Sequence, residues 1–574
     1  MAESMRKAVI AGSGAGASVT AMTLAEAGWH VVMLEKGPNY FTGLGKEWPP
    51  KTVFSNDNLK LTRNFEQPDP TAYPRTFRTS ASQKSGYYVG PVNELPVTVG
   101  GGTIHYGAAM PRFWDIDFKQ LSMLGPQPGA DVADWPFEYS ALSHLYDELE
   151  ETIGIQGDMA AMPKDPVLKH APRNKGYPMP PGPPQRASKL VSDGAKALGM
   201  HPYPFPHAIN SQPYNGRPIC NNCGFCDAYG CPTSARGSAL DLLHRALLTG
   251  RVELRSETMV HKVEMKGRRA TGLAWIDQHG RRGVERGDVV ILAASGIESA
   301  RLALMSGLPD PHDRIGKRLM FHYFTSGFGL FLDERLHAYK SWGAETHCLE
   351  DFADPDFIGA KAFAKLQGLP YIRGGLCELG GSEEVLAEAQ FYQYILSAVL
   401  PEQPFGRTFK ELMRTSLLRD RIAGIQMLGH DLPYLSNNVT LDPKVKDRHG
   451  FPVPRITYAP GKHETVAQEF YIPFITAVLK AAGATVSAAV PANTPLMGAT
   501  ASLPLTRHVL GGMQMGTDER TSVVDEWGRV HTTENVYVHD GGVFATAGAN
   551  NPTLTIMAVV LRMARHLAGT ASEG

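Results

Sequence analysis

The sequence has almost no net charge, since 56 lysines and arginines stand against 57 aspartates and glutamates. It contains neither a basic excess nor a block of like charges, which argues against a nucleic-acid-binding or membrane-surface protein. It also lacks any apolar run that approaches the ~20 residues of a membrane-spanning helix. We therefore expect no nucleic-acid partner and no membrane span.

The first residues, Met1 to Lys7, lack the apolar segment of a secretory signal and lead directly into a strand. We expect a cytoplasmic protein; the alternative is export together with a partner that carries the signal. The 574 residues exceed the roughly 250–300 at which one hydrophobic core stops growing. The chain should therefore form two domains, or one domain with a large insertion.

Cysteine is scarce, with six residues in the chain, and four of them are crowded into one short segment. In a long chain such a cluster indicates metal or redox chemistry before a disulfide framework. The segment reads Cys220-x2-Cys223-x2-Cys226-x4-Cys231-Pro232, which is similar to the bacterial ferredoxin spacing with one extra residue before the last cysteine. Three interpretations stay open for these cysteines: an iron–sulfur cluster, a zinc site, or thiols without metal.

Apolar strands and helical segments recur at the start, in the middle and at the end of the chain. The pattern predicts strands at 8–11, 30–34, 252–254, 289–294 and 536–538, and helices at 13–27, 298–305 and 552–567. Because the stretches between them must fold as something else, two interleaved domains are expected. The first takes residues 1–115, 205–325 and 505–574, and the second takes 116–204 and 326–504.

A glycine-rich turn joins the first strand to the first helix. Gly12, Gly14 and Ala17 fit the pattern G-x-G-x-x-[G/A], in which backbone N–H groups at the helix N-terminus face a pyrophosphate. Glu35 ends the second strand, where a carboxylate would accept hydrogen bonds from an adenosine ribose. The motif predicts a Rossmann-like, dinucleotide-binding α/β domain in a chain that is α+β overall, and it does not distinguish FAD from NAD.

Several further segments follow this motif along the chain. They are Gly100–His105, Gly296–Gly307, the "GxxLxxH" segment Gly316–His322, Asn437–Asp442 with Asp447, and the series His508–Gly511, Met515–Gly516, Asp540 and Asn551–Pro552. Together they resemble the glucose–methanol–choline oxidoreductases, nearest to the sugar and glucoside dehydrogenases and the pyranose-oxidase-like members. The resemblance extends over nearly the whole chain.

The resemblance implies that the dinucleotide is FAD, and that the second domain is a substrate domain built on an antiparallel sheet with helices. It also implies the residues that hold the cofactor: Gly12, Gly14, Ala17 and Glu35 at the ADP half, Val263 at the adenine, Asp540 at the ribityl and pyrophosphate region, and Gly101 and Gly102 beside the isoalloxazine.

The resemblance further implies a catalytic pair. His508 would be the base that takes the hydroxyl proton, since histidine titrates near neutral pH, and Asn551 would donate a hydrogen bond to the substrate oxygen. Asn551 and Pro552 also suit the N-cap and first residue of the final helix, whose positive end would stabilise reduced flavin. The alternatives are an interior histidine at position 508 and an N-cap role alone for Asn551.

Two features leave the chemistry open. His105 stands where some sugar oxidases of this family attach FAD covalently, whereas other members keep an unattached histidine there. The cysteine segment resembles that of sugar dehydrogenases with an iron–sulfur cluster; a three-iron [3Fe-4S] cluster is favoured over [4Fe-4S], although four cysteines with altered spacing leave the choice of ligands open.

These features predict an FAD-dependent dehydrogenase that oxidises a sugar, glycoside or polyol hydroxyl and passes electrons to an external acceptor, either an acceptor protein or a small subunit. The alternatives are an oxidase that makes hydrogen peroxide, a lyase that keeps FAD without net redox turnover, and a subunit that binds FAD structurally. Trp342, Tyr392 and Tyr394 could pack on a sugar ring or be ordinary core or surface aromatics.

Overall fold

The computed structural model describes most of the chain. The described residues are 5–52, 72–90, 92, 95–224, 226, 230–337, 346–380, 396, 400, 402, 405–416, 420–491, 504 and 506–569. Trp342, Tyr392 and Tyr394 lie outside them. Within the described ranges no helix combines the length and the apolar character needed to cross a bilayer.

The helices of the described residues are spread along the chain. They are α1 (Ala15–Glu26), α2 (Asp115–Phe118), α3 (Gln120–Leu124), α4 (Ser140–Ile153), α5 (Arg186–Ala197), α6 (Ala239–Leu248), α7 (Gly296–Ser306), α8 (Ala360–Leu366), α9 (Gly406–Thr415), α10 (Lys462–Ala481) and α11 (Thr553–Ala568). Single turns of 3₁₀ helix lie at Gly101–Ile104, Met159–Ala161, Asp351–Ala353 and Gly541–Val543, and a π turn at Lys164–Leu168.

The strands are short except in the middle of the chain. They are β1 (Lys7–Ala11), β2 (His30–Leu34), β3 (Phe41–Thr42), β4 (Lys51–Thr52), β5 (Arg75–Arg78), β6 (Tyr88–Gly90), β7 (Tyr203–Pro204), β8 (Val252–Arg255), β9 (Thr258–Lys266), β10 (Arg269–Asp277), β11 (Arg282–Arg286), β12 (Val289–Leu292), β13 (Tyr323–Leu330), β14 (His347–Leu349), β15 (Cys377–Gly380), β16 (Ile422–Gly429), β17 (Asn438–Lys446), β18 (Pro452–Thr457), β19 (Val486–Pro491) and β20 (Val536–Val538).

A parallel sheet with strand order β20-β12-β1-β2-β8 joins the start, the middle and the end of the chain. Its central strand β1 is buried from Ala8 to Ala11. Helix α1 packs against the neighbouring β2, and strands β9 and β10 of a further antiparallel sheet, β11-β10-β9, pack against β1, β2 and β12. Helix α1 packs between α6 and α11. The strand predictions for this sheet are confirmed, and the fold class is the α/β fold expected.

A second, antiparallel sheet has the strand order β19-β13-β16-β15-β14-β7. Helices α5 and α10 pack on it and bury a separate apolar core that includes Ile425 and Ile475. Because side chains alternate along a strand, every second side chain of these strands lies on the opposite face, which is turned to the parallel sheet. The sheet-with-helices architecture expected for the second domain is present.

The hairpin β17–β18 departs from the expected domain division. It was predicted within 326–504, but β18 pairs in parallel with β5, and Arg301 of α7 donates to Asp447 in the hairpin at 2.7 Å. The expected boundary at 325/326 also falls inside β13. The sequence carries no local signal for the pairing of strands from distant segments, so it did not indicate where this hairpin packs. The domain limits stay a proposal, in which the hairpin now belongs with the nucleotide-binding side.

Candidate active site

One cavity of about 630 Å³ lies between the two sheets. It brings together most of the residues singled out in the sequence: Gly12, Gly14, Glu35, Gly101, Gly102, His105, His508, Asp540, Asn551 and Pro552 all line it. The volume falls in the range of cofactor and ligand sites, about 300–1,000 Å³. Ala17, Val263 and the four clustered cysteines do not line it.

The glycine turn forms one end of the cavity. Gly12 has φ +106°, and a Cβ there would lie 2.4 Å from the Ala293 carbonyl oxygen, so that position admits only glycine. Gly14 is the N-cap of α1, and no side chain at this position accepts a hydrogen bond from the first N–H groups of the helix. The open N–H groups of a twelve-residue helix therefore face the cavity, as a pyrophosphate site requires.

The closest approach between α1 and the sheet occurs at Gly16. A Cβ there would lie 1.9 Å from the carbonyl oxygen of His539, just after β20. Ala17, which the motif singled out, is fully buried in α1 beside it. The pattern G-x-G-x-x-A identifies the turn, but it did not identify Gly16 as the residue at the tightest contact.

Glu35 ends β2 with its carboxylate in the cavity wall. Its two oxygens accept hydrogen bonds from Ser13 Oγ at 2.6 Å and from the Gly37 N–H at 2.8 Å. Burial raises the pKa of Glu35, and these donors oppose the rise. Ser13 Oγ in turn accepts from the Gly100 N–H at 3.2 Å, so one serine connects both glycine loops to the carboxylate.

Asp540 caps the 3₁₀ turn Gly541–Val543 and is buried. It accepts hydrogen bonds from Ser299 Oγ at 2.5 Å and from the Gly542 N–H at 2.8 Å. Burial raises its pKa to about 6, and these donors oppose the rise. A buried carboxylate beside a glycine turn suits hydroxyl donors such as those of a ribityl chain.

Val263 does not take part in the cavity wall. Its side chain is fully buried, and its N–H donates to Ser306 Oγ at 2.8 Å. Met259 and Val260, earlier in the same strand β9, line the cavity instead. The alternation of side chains along a strand can be read from sequence, but the residue at which β9 meets the cavity edge cannot.

A charged cluster that the sequence did not single out lies at the same end. Glu298 accepts from Arg75 at 2.9 Å and pairs with Arg301 at 3.3 Å, and Lys36 also lines the cavity. Burial opposes ionisation of Glu298, but Lys36, Arg75 and Arg301 hold its pKa well below the usual range. Arg301 also pairs with Asp447 at 2.7 Å, so the basic side chains of this cluster are matched by buried carboxylates.

The opposite end of the cavity is formed by the antiparallel sheet and by the segments that carry His508 and Asn551. Phe324 on β13, Glu378 on β15 and Gln426 on β16 line it, and Glu378 and Gln426 face each other across neighbouring strands. These three residues belong to no motif. Their positions depend on the pairing of strands about fifty to a hundred residues apart, so sequence reasoning missed them.

Asn551 does not cap the final helix. Helix α11 begins at Thr553 with Pro552 at the N-cap position and no side-chain capping bond. Asn551 instead donates from Nδ2 to Glu378 Oε1 at 3.0 Å, and its buried Oδ1 has no hydrogen-bond partner among the described residues. The role as an N-cap alone is therefore wrong for Asn551, and Pro552 lies one position before the helix that it was expected to start.

His508 lies half-buried in the cavity wall, and its Nδ1 is 2.7 Å from Nδ1 of His322. Burial, the neighbouring His322 and the charge of Arg507 lower the pKa of His508 well below its usual value. His508 is thus neutral near pH 7, as a general base must be. His105, also in the cavity wall, is 2 % exposed.

The clustered cysteines lie outside the cavity and form no disulfide. Burial raises the pKa of Cys220 to about 11, and the nearby thiols of Cys231 and Cys223 add to the rise. Within the described part of the chain, which includes all four thiols, no group of three or more cysteine, histidine or carboxylate side chains could hold a metal ion. The arrangement therefore does not fit an iron–sulfur or zinc site, and we derive no step through one.

Comparison with known proteins identifies the family. The family model described as GMC oxidoreductase matches twice, its N-terminal part at residues 182–324 and its C-terminal part at residues 433–559. The chain belongs to the GMC oxidoreductase family. The C-terminal match includes His508, Asp540 and Asn551, which line the cavity.

Relatives of known name are similar over almost the whole of this GMC oxidoreductase. The 2-methyl-1,2-propanediol dehydrogenase of Mycolicibacterium austroafricanum is 26% identical and covers 98% of this chain and 95% of its own. The fructose dehydrogenase large subunit of Gluconobacter japonicus is 26% identical, covering 99% and 98%. The crystal structure of pyridoxine 4-oxidase from Mesorbium loti has the same fold, with a TM-score of 0.60, 14% identity and coverage of 99% and 100%.

GMC oxidoreductases bind FAD, and the cavity fits that cofactor in three respects. The uncapped end of α1 offers donors to a pyrophosphate. The carboxylates of Glu35 and Asp540 offer acceptors to hydroxyl groups. The unpartnered Oδ1 of Asn551 marks the far end as a place where a bound molecule completes the hydrogen bonding.

Proposed function

We propose that this GMC oxidoreductase is an FAD-dependent dehydrogenase that oxidises a hydroxyl group of a sugar, a glycoside or another polyol to a carbonyl. The observation that carries the proposal is the cavity that the glycine turn and the pair His508 and Asn551 share. A cofactor held by the turn at one end would extend to the residues that handle a substrate hydroxyl at the other. The names of the propanediol and fructose dehydrogenases agree with a CH–OH donor.

The cofactor would be held by residues with distinct chemistry. Gly12, Gly14 and the N-terminus of α1 would face the pyrophosphate, and Glu35 would accept from the adenosine ribose. Asp540 would accept from the ribityl hydroxyls, while Gly101 and Gly102 pass beside the ring system. When bound, FAD supplies the two-electron acceptor for the hydride of the substrate carbon.

His508 and Asn551 would act on the substrate oxygen. A neutral His508 takes the hydroxyl proton, and its lowered pKa keeps it available as a base at pH 7. Asn551 would hold the oxygen through its amide while negative charge develops there. The carboxylate of Glu378, which accepts from Asn551, would keep that amide in place.

The electrons would leave to an external acceptor, an acceptor protein or a small subunit, in a cytoplasmic enzyme. The name of the fructose dehydrogenase relative, a large subunit, agrees with a partner chain. An iron–sulfur relay is no part of this proposal, because the clustered cysteine side chains do not form a ligand set. A flavin attached through His105 stays an alternative to a dissociable one; acid precipitation distinguishes them, since only attached flavin stays with the protein.

The test is an anaerobic spectral titration of the purified flavoprotein with free sugars, glycosides, polyols and aromatic alcohols. We expect one of the first three classes to bleach the flavin, and the reduced protein to reoxidise slowly in air and rapidly with an artificial electron acceptor. Rapid reoxidation by air with peroxide release would replace the dehydrogenase by an oxidase. A flavin that dithionite reduces but no alcohol bleaches would favour the lyase or the structural role.

Two variants test the roles of the residues. His508→Asn should lower the rate of anaerobic flavin reduction by about 10²- to 10⁴-fold, the usual contribution of general base catalysis, with flavin content unchanged. His312→Asn replaces an exposed histidine outside the cavity wall and should leave the rate unchanged. Equal rates in both variants would remove His508 from the mechanism.

A further inference from the structure

His322 ends the "GxxLxxH" segment, and the proposed chemistry has so far given it no role. It lies immediately before β13, is 2 % exposed, and places Nδ1 2.7 Å from Nδ1 of His508. The two rings are nearly perpendicular, at 88°, with centroids 4.9 Å apart. At that distance one nitrogen must be a donor and the other an acceptor, so the two imidazoles share one proton between them.

The surroundings of His322 decide which ring donates. Its Nδ1 contacts His508, and its buried Nε2 has no hydrogen-bond partner among the described residues. The carbonyl groups of Gly548 and Ala547 nevertheless act on the ring as acceptors would: burial lowers the pKa of His322 to about 4, and both carbonyls oppose that fall. Because Nδ1 of His322 already faces His508, the ring N–H that these carbonyl groups favour is the one on Nε2. His322 therefore offers Nδ1 as the acceptor.

We propose that His322 is a positioning residue that fixes the tautomer and the ring orientation of His508. Because Nδ1 of His322 accepts, Nδ1 of His508 carries the proton, and Nε2 of His508 is the bare nitrogen in the cavity. This inference rests on the proposed function, in which the substrate O–H bond breaks as its proton moves to that Nε2. The hydride of the same carbon would go to the bound flavin, so the substrate would lose two electrons and two hydrogens.

Several of the groups around His322 and His508 favour the neutral form of both rings. Arg507, next to His508, places a positive charge beside it, and Phe324 on β13 packs edge-on against the His508 ring at 6.0 Å. His430, just after β16, is close enough to His322, Arg373 and His463 for their positive charges to lower its pKa, in addition to burial. Glu378 on β15 lines the same cavity and is the carboxylate on the substrate side.

The direct test is the tautomer of His508 in the holoenzyme, measured by NMR after histidine-selective ¹⁵N labelling, with His508→Asn used to assign the signals. We expect a protonated Nδ1 and an unprotonated Nε2 at pH 7.5 in the wild-type protein. In His322→Leu the acceptor is gone, and the signals should shift toward the opposite tautomer. A wild-type His508 with its proton on Nε2, or an unchanged tautomer in His322→Leu, overturns the proposal.

A kinetic test uses His322→Asn as the matched variant, since its amide oxygen can take the place of the Nδ1 acceptor. The rate of anaerobic flavin reduction should fall about 10²-fold in His322→Leu and less than tenfold in His322→Asn, with KM and flavin content near wild type in both. The acid limb of the kcat/KM pH profile should move in the leucine variant alone. Equal losses in both variants, accompanied by lost flavin or a lower Tm, would make the role structural and overturn the proposal.

Failure of the proposed function would give a different result. If no alcohol reduces the flavin of the wild-type protein, the proposed dehydrogenase function is wrong. The NMR measurement still decides whether His322 sets the tautomer of His508. If alcohols do reduce it and the tautomer is independent of His322, the function stands and this inference falls.

Discussion

Asn551 donates a hydrogen bond from Nδ2 to Oε1 of Glu378 at 3.0 Å, across the space between the loop before α11 and strand β15. The bond fixes which side of the amide faces away from Glu378, and it leaves Oδ1 and one N–H of Asn551 for a molecule in the cavity. The same hydrogen bond connects the loop before α11 to the antiparallel sheet. The two parts of the fold thus meet at the residue expected to contact the substrate oxygen.

Replacing Glu378 tests this bond. In Glu378→Leu the amide of Asn551 loses its acceptor, and since hydrogen bonds to charged groups contribute about 1.5–3 kcal/mol, flavin reduction should slow by about 10- to 100-fold. Glu378→Gln keeps an oxygen at the acceptor position and should lose less than about fivefold. Stopped-flow reduction under anaerobic conditions measures both rates.

The double variant Glu378→Leu/Asn551→Ala supplies the control for that comparison. If Glu378 acts through Asn551, its loss costs little more once Asn551 is gone, and the effects of the two single changes are not additive. Full additivity would show that Glu378 acts on the substrate by itself.

Gly14 and Gly16 should separate cofactor binding from folding. A Cβ at Gly14 would lie 3.9 Å from Gly101 Cα, an ordinary contact, whereas one at Gly16 would lie 1.9 Å from the His539 carbonyl oxygen. Gly14→Ala should therefore fold but bind FAD at least tenfold more weakly, because the added methyl group faces the pyrophosphate site. Gly16→Ala should destabilise the protein by about 1–3 kcal/mol or more through overpacking.

Flavin content after dialysis measures the loss of cofactor binding. Urea unfolding of the flavin-free protein measures the loss of stability. The opposite ranking, with Gly14→Ala the less stable protein, would contradict the packing that the structure shows around α1.

The residues close to a glycine turn or at a strand end could be predicted from the sequence, because their positions follow from local geometry. Gly12, Glu35 and the strands of the parallel sheet are of this kind, whereas the C-terminal series with His508 and Asn551 was predicted from the family resemblance alone. The contact of Glu378 with Asn551 could not be predicted, since it depends on how β15 pairs with β16 and where that sheet meets the loop before α11. His322 and His508 both lie in motif segments, but nothing in the sequence indicated that the two rings are in contact.

Asp540 gives a pH dependence with a definite sign. Its pKa rises from 3.8 to about 6 on folding, so the folded flavin-free protein binds more protons than the unfolded chain between these values. The free energy of unfolding should fall as pH rises from about 4 to about 6, by up to ~3 kcal/mol, and stay level above that pH with respect to this group.

Asp540→Asn removes the titration and keeps the shape of the side chain. Its oxygen can still accept from the Gly542 N–H, so the variant should be the more stable protein at pH 7.5 and should lose that advantage at pH 4. Urea unfolding of both flavin-free proteins at the two pH values measures the difference. A larger advantage of the variant at pH 4 than at pH 7.5 would reverse the sign and refute the assignment.

The clustered cysteines should differ in reactivity if no metal holds them. Burial raises the pKa of both Cys220 and Cys231, but the charge of Arg236 and hydrogen bonds outweigh this at Cys231 and lower its pKa overall, whereas the pKa of Cys220 rises to about 11. The thiolate is the nucleophile, so at pH 8 iodoacetamide should modify Cys231 before Cys220. Peptide mass spectrometry over a time course measures the order.

Metal analysis of the same sample completes this prediction. We expect no stoichiometric iron or zinc, and Cys231→Ser should reduce its flavin at the wild-type rate, because the thiol lies outside the cavity wall. If all four cysteines resist iodoacetamide until a chelator is added, and iron is released with their protection, a cluster binds there after all. The cysteine segment would then have to rearrange from the conformation described here, and electrons could leave the flavin through it.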